Sequence, residues 1–316
     1  MTFTQIKCFL ALERFGSFVD AAKSLHVTQP ALTVQIKNLE EELDAILFDR
    51  TLKPVVLTEA GQVFAEQARI IMFEVDKAKN VIDDFRQKEK GLLRIGIIPT
   101  VAPYLLPLFL NEFYEAFPEV RLAIKEMITE DILTALKNNE LDAGLVATPI
   151  QAKATKHQPL FYEKYFLYVS ELHPFFDRES IDLGELDETD LWLLNQGNCF
   201  RNQVLHICSL ARKSAFNQGF NFESTSIESL KRIVEFTKGA TIIPELATLN
   251  IPAEKEEMIK GIEKLNAVRE VSLITNKTVV KAHLLEKLIK TIKGSLPAKM
   301  SEKPQQQILE TGVKLL

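Results

Sequence analysis

The stretch Ser17-Phe18-Val19-Asp20-Ala21-Ala22-Lys23-Ser24-Leu25-His26-Val27-Thr28-Gln29-Pro30-Ala31-Leu32-Thr33-Val34-Gln35-Ile36-Lys37 decides how this chain begins. Ser17 to Asp20 has the spacing of a capping box and opens a short helix through Ala21, Ala22 and Leu25. A second start follows at once. Thr28-Gln29-Pro30 offers an N-cap hydroxyl and a proline in the first turn, where its missing N–H costs nothing. His26-Val27 is left as the turn between the two helices. Leu32, Ile36, Leu39 and Leu43 recur at four, three and four residues, which predicts one buried stripe and leaves Gln29, Thr33, Gln35 and Lys37 outside. Two short helices around a tight turn, the second showing amides, hydroxyls and an amine near its start, are what a helix-turn-helix presents to the major groove. On that reading Thr28, Gln29, Pro30, Thr33 and Gln35 face base edges, while Lys37, Arg50 and Lys53 hold phosphates. The pattern equally fits a surface helix with a solvated polar face. Charge does not decide, because residues 1–60 carry six Lys/Arg against eight Asp/Glu.

Downstream, Pro54-Val55-Val56-Leu57 is the first strand-like run and adds a wing, so residues 1–60 read as a winged helix-turn-helix, all-α with a small wing. Phe64, Ala68, Ile71, Val75, Ala78, Ile82 and Phe85 then mark three heptads over residues 61–90. Such a seam needs a partner, either a second copy of the chain in a homodimer or the helix's own domain. The pattern changes at Gly91. Strand-like runs at 93–98, 120–124 and 143–147 alternate with helical stretches, the order of βαβ units in a mostly parallel sheet. A second set begins at Tyr165, includes Leu191 to Leu194 and Gly239 to Pro244, and is followed by a further strand at 270–275. This predicts a regulatory domain over 91–295 with lobe I at about 91–163 and 267–295, lobe II at about 164–266, and a cleft between them suited to a ligand or a reactive group. Residues 296–316 show little periodicity and are expected to be a loosely ordered tail.

Composition narrows the function. The 316 residues carry 38 Lys/Arg and 43 Asp/Glu, a net charge of −5, which excludes a protein that coats nucleic acid by bulk charge and makes any DNA contact local. The unbroken apolar runs are too short for a membrane span, and the first residues lack a secretory leader, so no membrane partner and a cytoplasmic location are expected. Three cysteines are too few for a disulfide framework; a pair among them would point to redox chemistry. No metal and no cofactor are expected.

The residues Phe18, Ala21-Ala22, Leu25, Val27-Thr28-Gln29-Pro30-Ala31-Leu32-Thr33, Gln35-Ile36, Leu39-Glu40, Leu43, Leu47-Phe48, Arg50 and Leu57-Thr58-Glu59-Ala60-Gly61 form a family-specific string. Through it the chain resembles the LysR-type transcriptional regulators over about residues 2 to 293. The resemblance implies a winged helix-turn-helix, a linker-helix dimer and a two-lobed α/β domain of the periplasmic-binding-protein-like (type II) kind. Three further segments, Ile98-Pro99-Thr100 to Pro107, Gln196-Gly197-Asn198-Cys199-Phe200-Arg201-Asn202-Gln203 with Cys208, and Thr225-Ser226-Ile227-Glu228-Ser229-Leu230, are similar to the hydrogen-peroxide-sensing activators within that family. By this likeness Cys199 is peroxidatic, Cys208 resolves it as an intramolecular disulfide, and Thr100, Thr129, Asn198, Arg201 and Arg269 line the peroxide pocket. The implied partners are promoter DNA, RNA polymerase, further copies of the chain up to a homotetramer, and a thiol reductant that resets the switch.

The residues add their own chemistry. Asn198 is a good N-cap and Val204, Ile207, Cys208 and Ala211 continue a helical pattern, so Cys199 should begin a helix. There the dipole and Arg201 favour the thiolate, the species that attacks peroxide, whereas Cys208 on the apolar face should be unreactive. Nine residues of helix rise about 13.5 Å. A disulfide tolerates Cα atoms at most about 7 Å apart, so oxidation requires the helix to unwind. Asn198 stands where many such sensors carry histidine and Asn202 where aspartate is common, which removes a proton relay. Cys8, among Phe9, Leu10 and Leu12, reads as core packing. Two other readings stay open: a regulator of the same fold that answers a small effector in the cleft, its cysteines incidental, and a thiol peroxidase, against which the helix-turn-helix argues.

Overall fold

The computed structural model describes residues 1–86, 88–152, 155–186, 191–208, 224–279 and 281–315. It divides into two units, Met1–Arg86 and Gln87–Leu316. The first contains α1 (Phe3–Phe15), α2 (Phe18–Ser24), α3 (Gln29–Leu43), the antiparallel hairpin of β1 (Phe48–Asp49) and β2 (Val56–Leu57), and the 27-residue α4 (Glu59–Phe85). Thr2 caps α1 through a full capping box with Gln5, and Gly16 ends it at φ 59°. A Cβ at Gly16 would lie 2.7 Å from Pro54 Cβ, and its carbonyl accepts from Val55 N–H at 2.9 Å, so a glycine here lets the wing close onto α1. Ser17 caps α2, His26 turns the chain at φ 55°, and the Thr28 hydroxyl accepts from Ala31 N–H to start α3. Leu32, Ile36 and Leu39 are fully buried with Ile6, Phe9 and Leu12. Leu43 leaves the expected stripe: the helix stops at Asp44 in the left-handed region, and Leu43 is exposed.

The heptad seam of α4 is split. Phe64 meets the Phe9 ring edge-on at 4.8 Å, Ala68 is fully buried, and Ile71 packs on the same core. These three close the helix onto its own domain. Val75 is half-buried, Ala78 and Ile82 are exposed, and the Phe85 side chain lies outside the described residues. Three-four periodicity reports that a face is covered without saying by what, so one stripe serves two neighbours in succession.

The second unit starts with β3 (Gly91–Ile97), α5 (Ala102–Ala116), β4 (Val120–Glu126), α6 (Thr129–Lys137), β5 (Ala143–Thr148), β6 (Gln151–Ala152) and β7 (Thr155–Glu163). It crosses to β8 (Tyr165–Val169), β9 (Ser180–Ile181), β10 (Leu191–Trp192), α7 (Cys199–Ile207), α8 (Ile227–Phe236), β11 (Ala240–Pro244) and β12 (Ile259–Ile262). It then returns through β13 (Ala267–Asn276), α9 (Ala282–Gly294), α10 (Ala298–Ser301), β14 (Gln307–Ile308) and β15 (Lys314–Leu315). In lobe I the β4-β3-β5 core is parallel, as βαβ order predicts, but β13 and β7 are antiparallel additions. In lobe II the central β11-β8-β12 pairs are antiparallel. The sheets are therefore more mixed than expected, because the strands that carry the chain out of and back into lobe I run against their neighbours.

The loosely ordered tail is also corrected. Leu296, Met300, Leu309, Thr311 and Val313 are buried, β14 pairs with β13, and β15 pairs with β6. Single buried residues in two-residue strands carry no periodicity, so a segment held by a preformed surface reads as disorder.

Candidate redox site and nucleic-acid interface

Strand β7 carries the chain out of lobe I and antiparallel β13 brings it back beside it, and their register sets Glu163 opposite Arg269. Both side chains are inaccessible to solvent. Arg269 Nη1 donates to Glu163 Oε1 at 3.0 Å and Nη2 to Thr100 Oγ1 at 2.5 Å, while Leu246 N–H donates to Glu163 Oε2 at 3.0 Å. The guanidinium carbon lies 5.1 Å from the centre of the Phe200 ring. Burial pushes the Glu163 carboxyl above its ordinary range, and the guanidinium and the Leu246 N–H oppose that push. Arg269 is thus a cationic post whose fork is held on two sides, by Glu163 and by Thr100.

Onto this post α7 delivers the cysteine. Asn198 Oδ1 accepts from Phe200 N–H at 3.0 Å and starts the helix, so Cys199 is its first residue. Cys199 packs in the apolar core of lobe I, whereas Phe200 and Val204 pack in that of lobe II. One turn of helix thus touches both lobes. Thr129, at the start of α6, donates its hydroxyl to Cys199 Sγ at 3.8 Å, and the Tyr165 ring stacks on Phe200 at 5.8 Å.

Burial pushes the Cys199 thiol above its ordinary value; the Arg269 guanidinium, the Thr129 hydroxyl and the Phe200 N–H pull it down without cancelling that push. The net direction disfavours the thiolate. This corrects the expectation that the dipole and Arg201 hold a thiolate: Arg201 Nη1 donates to the Leu194 carbonyl at 2.7 Å, and the cation that acts on Cys199 is Arg269. Cys208 follows the last turn of α7, packs against the lobe II core, and is pushed up to about 12 by burial. Both thiols are free. With the helix between them intact, their Cα atoms stand about 13.5 Å apart along its axis, beyond disulfide reach.

Of the expected pocket residues the fold gathers Thr100, Thr129, Asn198 and Arg269 around Cys199. Sequence reading missed Glu163, Glu130 and Tyr165. Glu163 in Tyr162-Glu163-Lys164-Tyr165 looks like an ordinary polar hinge, and only strand register reveals its partner. Glu130 raises the Cys199 pKa by its charge. Arg269 Nε, Tyr165 Oη and Glu130 Oε2 are buried polar atoms without a hydrogen-bond partner among the described residues.

In the first unit Thr28, Gln29, Pro30 and Lys37 are exposed, and Thr33 and Gln35 are partly so. The Thr33 hydroxyl donates to the Gln29 carbonyl at 2.9 Å, which leaves its lone pairs free to accept. Lys53 is exposed in the wing. Arg50 is engaged by Glu40 Oε2 at 2.5 Å and lies over the Phe18 ring, so a phosphate must compete for it. Among the described residues no helix is long and apolar enough to cross a membrane.

A helix-turn-helix with a wing, joined to a two-lobed α/β domain, defines a bacterial transcription regulator. Residues 3–62 match the bacterial regulatory helix-turn-helix protein, lysR family, and residues 86–297 match the LysR substrate binding domain; the chain belongs to the LysR family. It is 36% identical over 250 residues to a hydrogen peroxide-inducible genes activator of Haemophilus influenzae, covering 79% of this chain and 82% of that one. To the DNA-binding transcriptional dual regulator OxyR of Escherichia coli K12 it is 33% identical, over 81% of this chain and 82% of that protein. The structure of full-length OxyR from Pseudomonas aeruginosa superposes with a TM-score of 0.77 at 27% identity, covering 97% of this chain and 99% of the other.

Proposed function

We propose that this chain is a hydrogen-peroxide-sensing transcription activator whose Cys199–Cys208 disulfide changes how an oligomer engages promoter DNA. The observation that carries the reading is the buried thiol of Cys199 beside the Thr129 hydroxyl and the Arg269 post, with unpaired Arg269 Nε–H and Tyr165 O–H donors in the same region. Peroxide is small, uncharged and rich in lone pairs, so a buried thiol flanked by hydrogen-bond donors suits it. The Cys199 thiolate attacks one peroxide oxygen and the O–O bond breaks; the departing hydroxide takes up the thiol proton, leaving a sulfenic acid and one water. Cys208 then attacks the sulfenic sulfur, its thiol proton leaves with the hydroxyl as a second water, and two thiols have given two electrons to one peroxide. The disulfide forms once α7 unwinds, and the rearranged segment favours a different packing of the oligomer. Thr100 and Thr129 orient peroxide, Arg269 stabilises developing charge, and Asn198 holds the helix start. Thr28, Gln29, Pro30, Thr33 and Gln35 read bases while Lys37, Arg50 and Lys53 hold phosphates. A homodimer forms through the exposed part of α4 and pairs into a homotetramer that contacts RNA polymerase in the cytoplasm, and a thiol reductant resets it.

The test is peptide mapping by mass spectrometry of the reduced protein after a brief, near-stoichiometric peroxide pulse. A Cys199–Cys208 link within seconds, absent in Cys199→Ser, is expected. Thiols that stay free in a protein that still binds its promoter would transfer the switch to a small effector in the inter-lobe cleft.

A further inference from the structure

The C-terminal segment is tied to the helix that must unwind. Gln203, fully buried, donates its side-chain N–H to the Leu309 carbonyl at 3.1 Å, and Asn202 donates to the Thr311 carbonyl at 3.2 Å. The segment is itself anchored on both sides of these contacts. Leu309 N–H donates to the carbonyl of Val268, the neighbour of Arg269, at 3.0 Å, and Gln151 N–H donates to Val313 at 3.1 Å. Thr311 is fully buried and its hydroxyl donates to the Pro149 carbonyl at 2.6 Å. Leu309 packs in the lobe II core and Val313 in the lobe I core. Gly312, at φ 72°, turns the chain beside Asn202, where an added Cβ would come 3.4 Å from the Asn202 amide nitrogen.

We propose that residues 309–313 are a latch on the cysteine helix: the Leu309 and Thr311 carbonyls hold Gln203 and Asn202 only while α7 is helical, so the tail stabilises the dithiol form and sets the redox potential of the Cys199–Cys208 pair. Unwinding α7 strips both carbonyls of these donors, one of them in a buried setting where an unmade hydrogen bond is costly. The latch also gives Asn202 a task that aspartate, which lacks the N–H, cannot perform. These residues position the helix and do not touch peroxide. The inference rests on the disulfide reading above.

The test is a thiol–disulfide titration of the full-length protein in glutathione buffers, with the link read by peptide mapping. Asn202→Asp and Asn202→Ala should each shift the equilibrium about tenfold toward disulfide, a potential about 30 mV more negative. A chain ending at Glu302 should shift at least as far. Hydrogen exchange on the unaltered protein supplies a check without substitutions: the Leu309 and Val313 amides should exchange faster in the disulfide form. Unchanged potentials together with equal protection in both redox states would overturn the latch while leaving the sensor intact. If neither peroxide nor glutathione disulfide produces the Cys199–Cys208 link at all, the sensing reading and the latch fall together.

Discussion

Cys199 shows how one side chain answers to two opposed demands. Burial keeps the Cys199 sulfur from solvent, yet it also disfavours the thiolate, and the Arg269 guanidinium only partly offsets that. The sign of the pH dependence follows. The thiolate is the charged form, burial disfavours it, and the reactive fraction at neutral pH is small. Oxidation of a Cys208→Ser variant should therefore accelerate about tenfold per pH unit from pH ~7 toward ~9. Stopped-flow kinetics with peroxide checks this, and a flat profile would mean that the nucleophile is already ionised. Asn198 uses its side-chain oxygen to accept from Phe200 N–H at the helix start, and an amide has no proton to relay in the neutral pH range.

At the scale of elements, α4 and α7 each serve two masters. The first half of α4 closes the winged domain and the second half extends beyond it, which separates two substitutions on one stripe. Phe64→Asp should destabilise the winged domain by about 3–5 kcal/mol, since it places a carboxylate against Phe9 in a packed core. Ile82→Asp, at 51% exposure, should leave thermal unfolding of that domain unchanged and weaken self-association. Calorimetry and sedimentation on the two variants separate the roles, and equal loss of folding in both would sink the division. In α7 the N-cap and the apolar spacing were legible, because capping and helical periodicity are local properties. The attachment of its polar side to the tail was not, because it rests on backbone carbonyls that any sequence could supply.

For the whole molecule, a net charge of −5 makes DNA recognition local rather than the work of a general basic surface, and the proposed contacts lie on α3 and the wing. Thr33→Ala or Gln29→Ala should then reduce affinity for the cognate promoter by about 1–3 kcal/mol while changing affinity for unrelated DNA much less. Competition binding at fixed salt measures both, and equal losses would assign these residues to packing or phosphate contact. The exposure of Gln29 and the free acceptors of Thr33 are compatible with base reading, whereas the ion pair of Arg50 with Glu40 makes its phosphate contact conditional.

The sequence by itself determined the two short helices around a tight turn, the βαβ order of lobe I, the entry of Cys199 at a helix start and the mismatch between helix length and disulfide reach. All of these follow from caps, turns and spacings a few residues long. Only the tertiary structure decided which cation acts on Cys199, that burial disfavours its thiolate, which half of the α4 stripe remains exposed, and that β14 and β15 pair with β13 and β6. Those outcomes depend on register and burial: Arg269 meets Glu163 across strands 106 residues apart in sequence, and the electrostatic balance at Cys199 comes from groups on α6, α7 and β13 that only the fold brings within reach of one another.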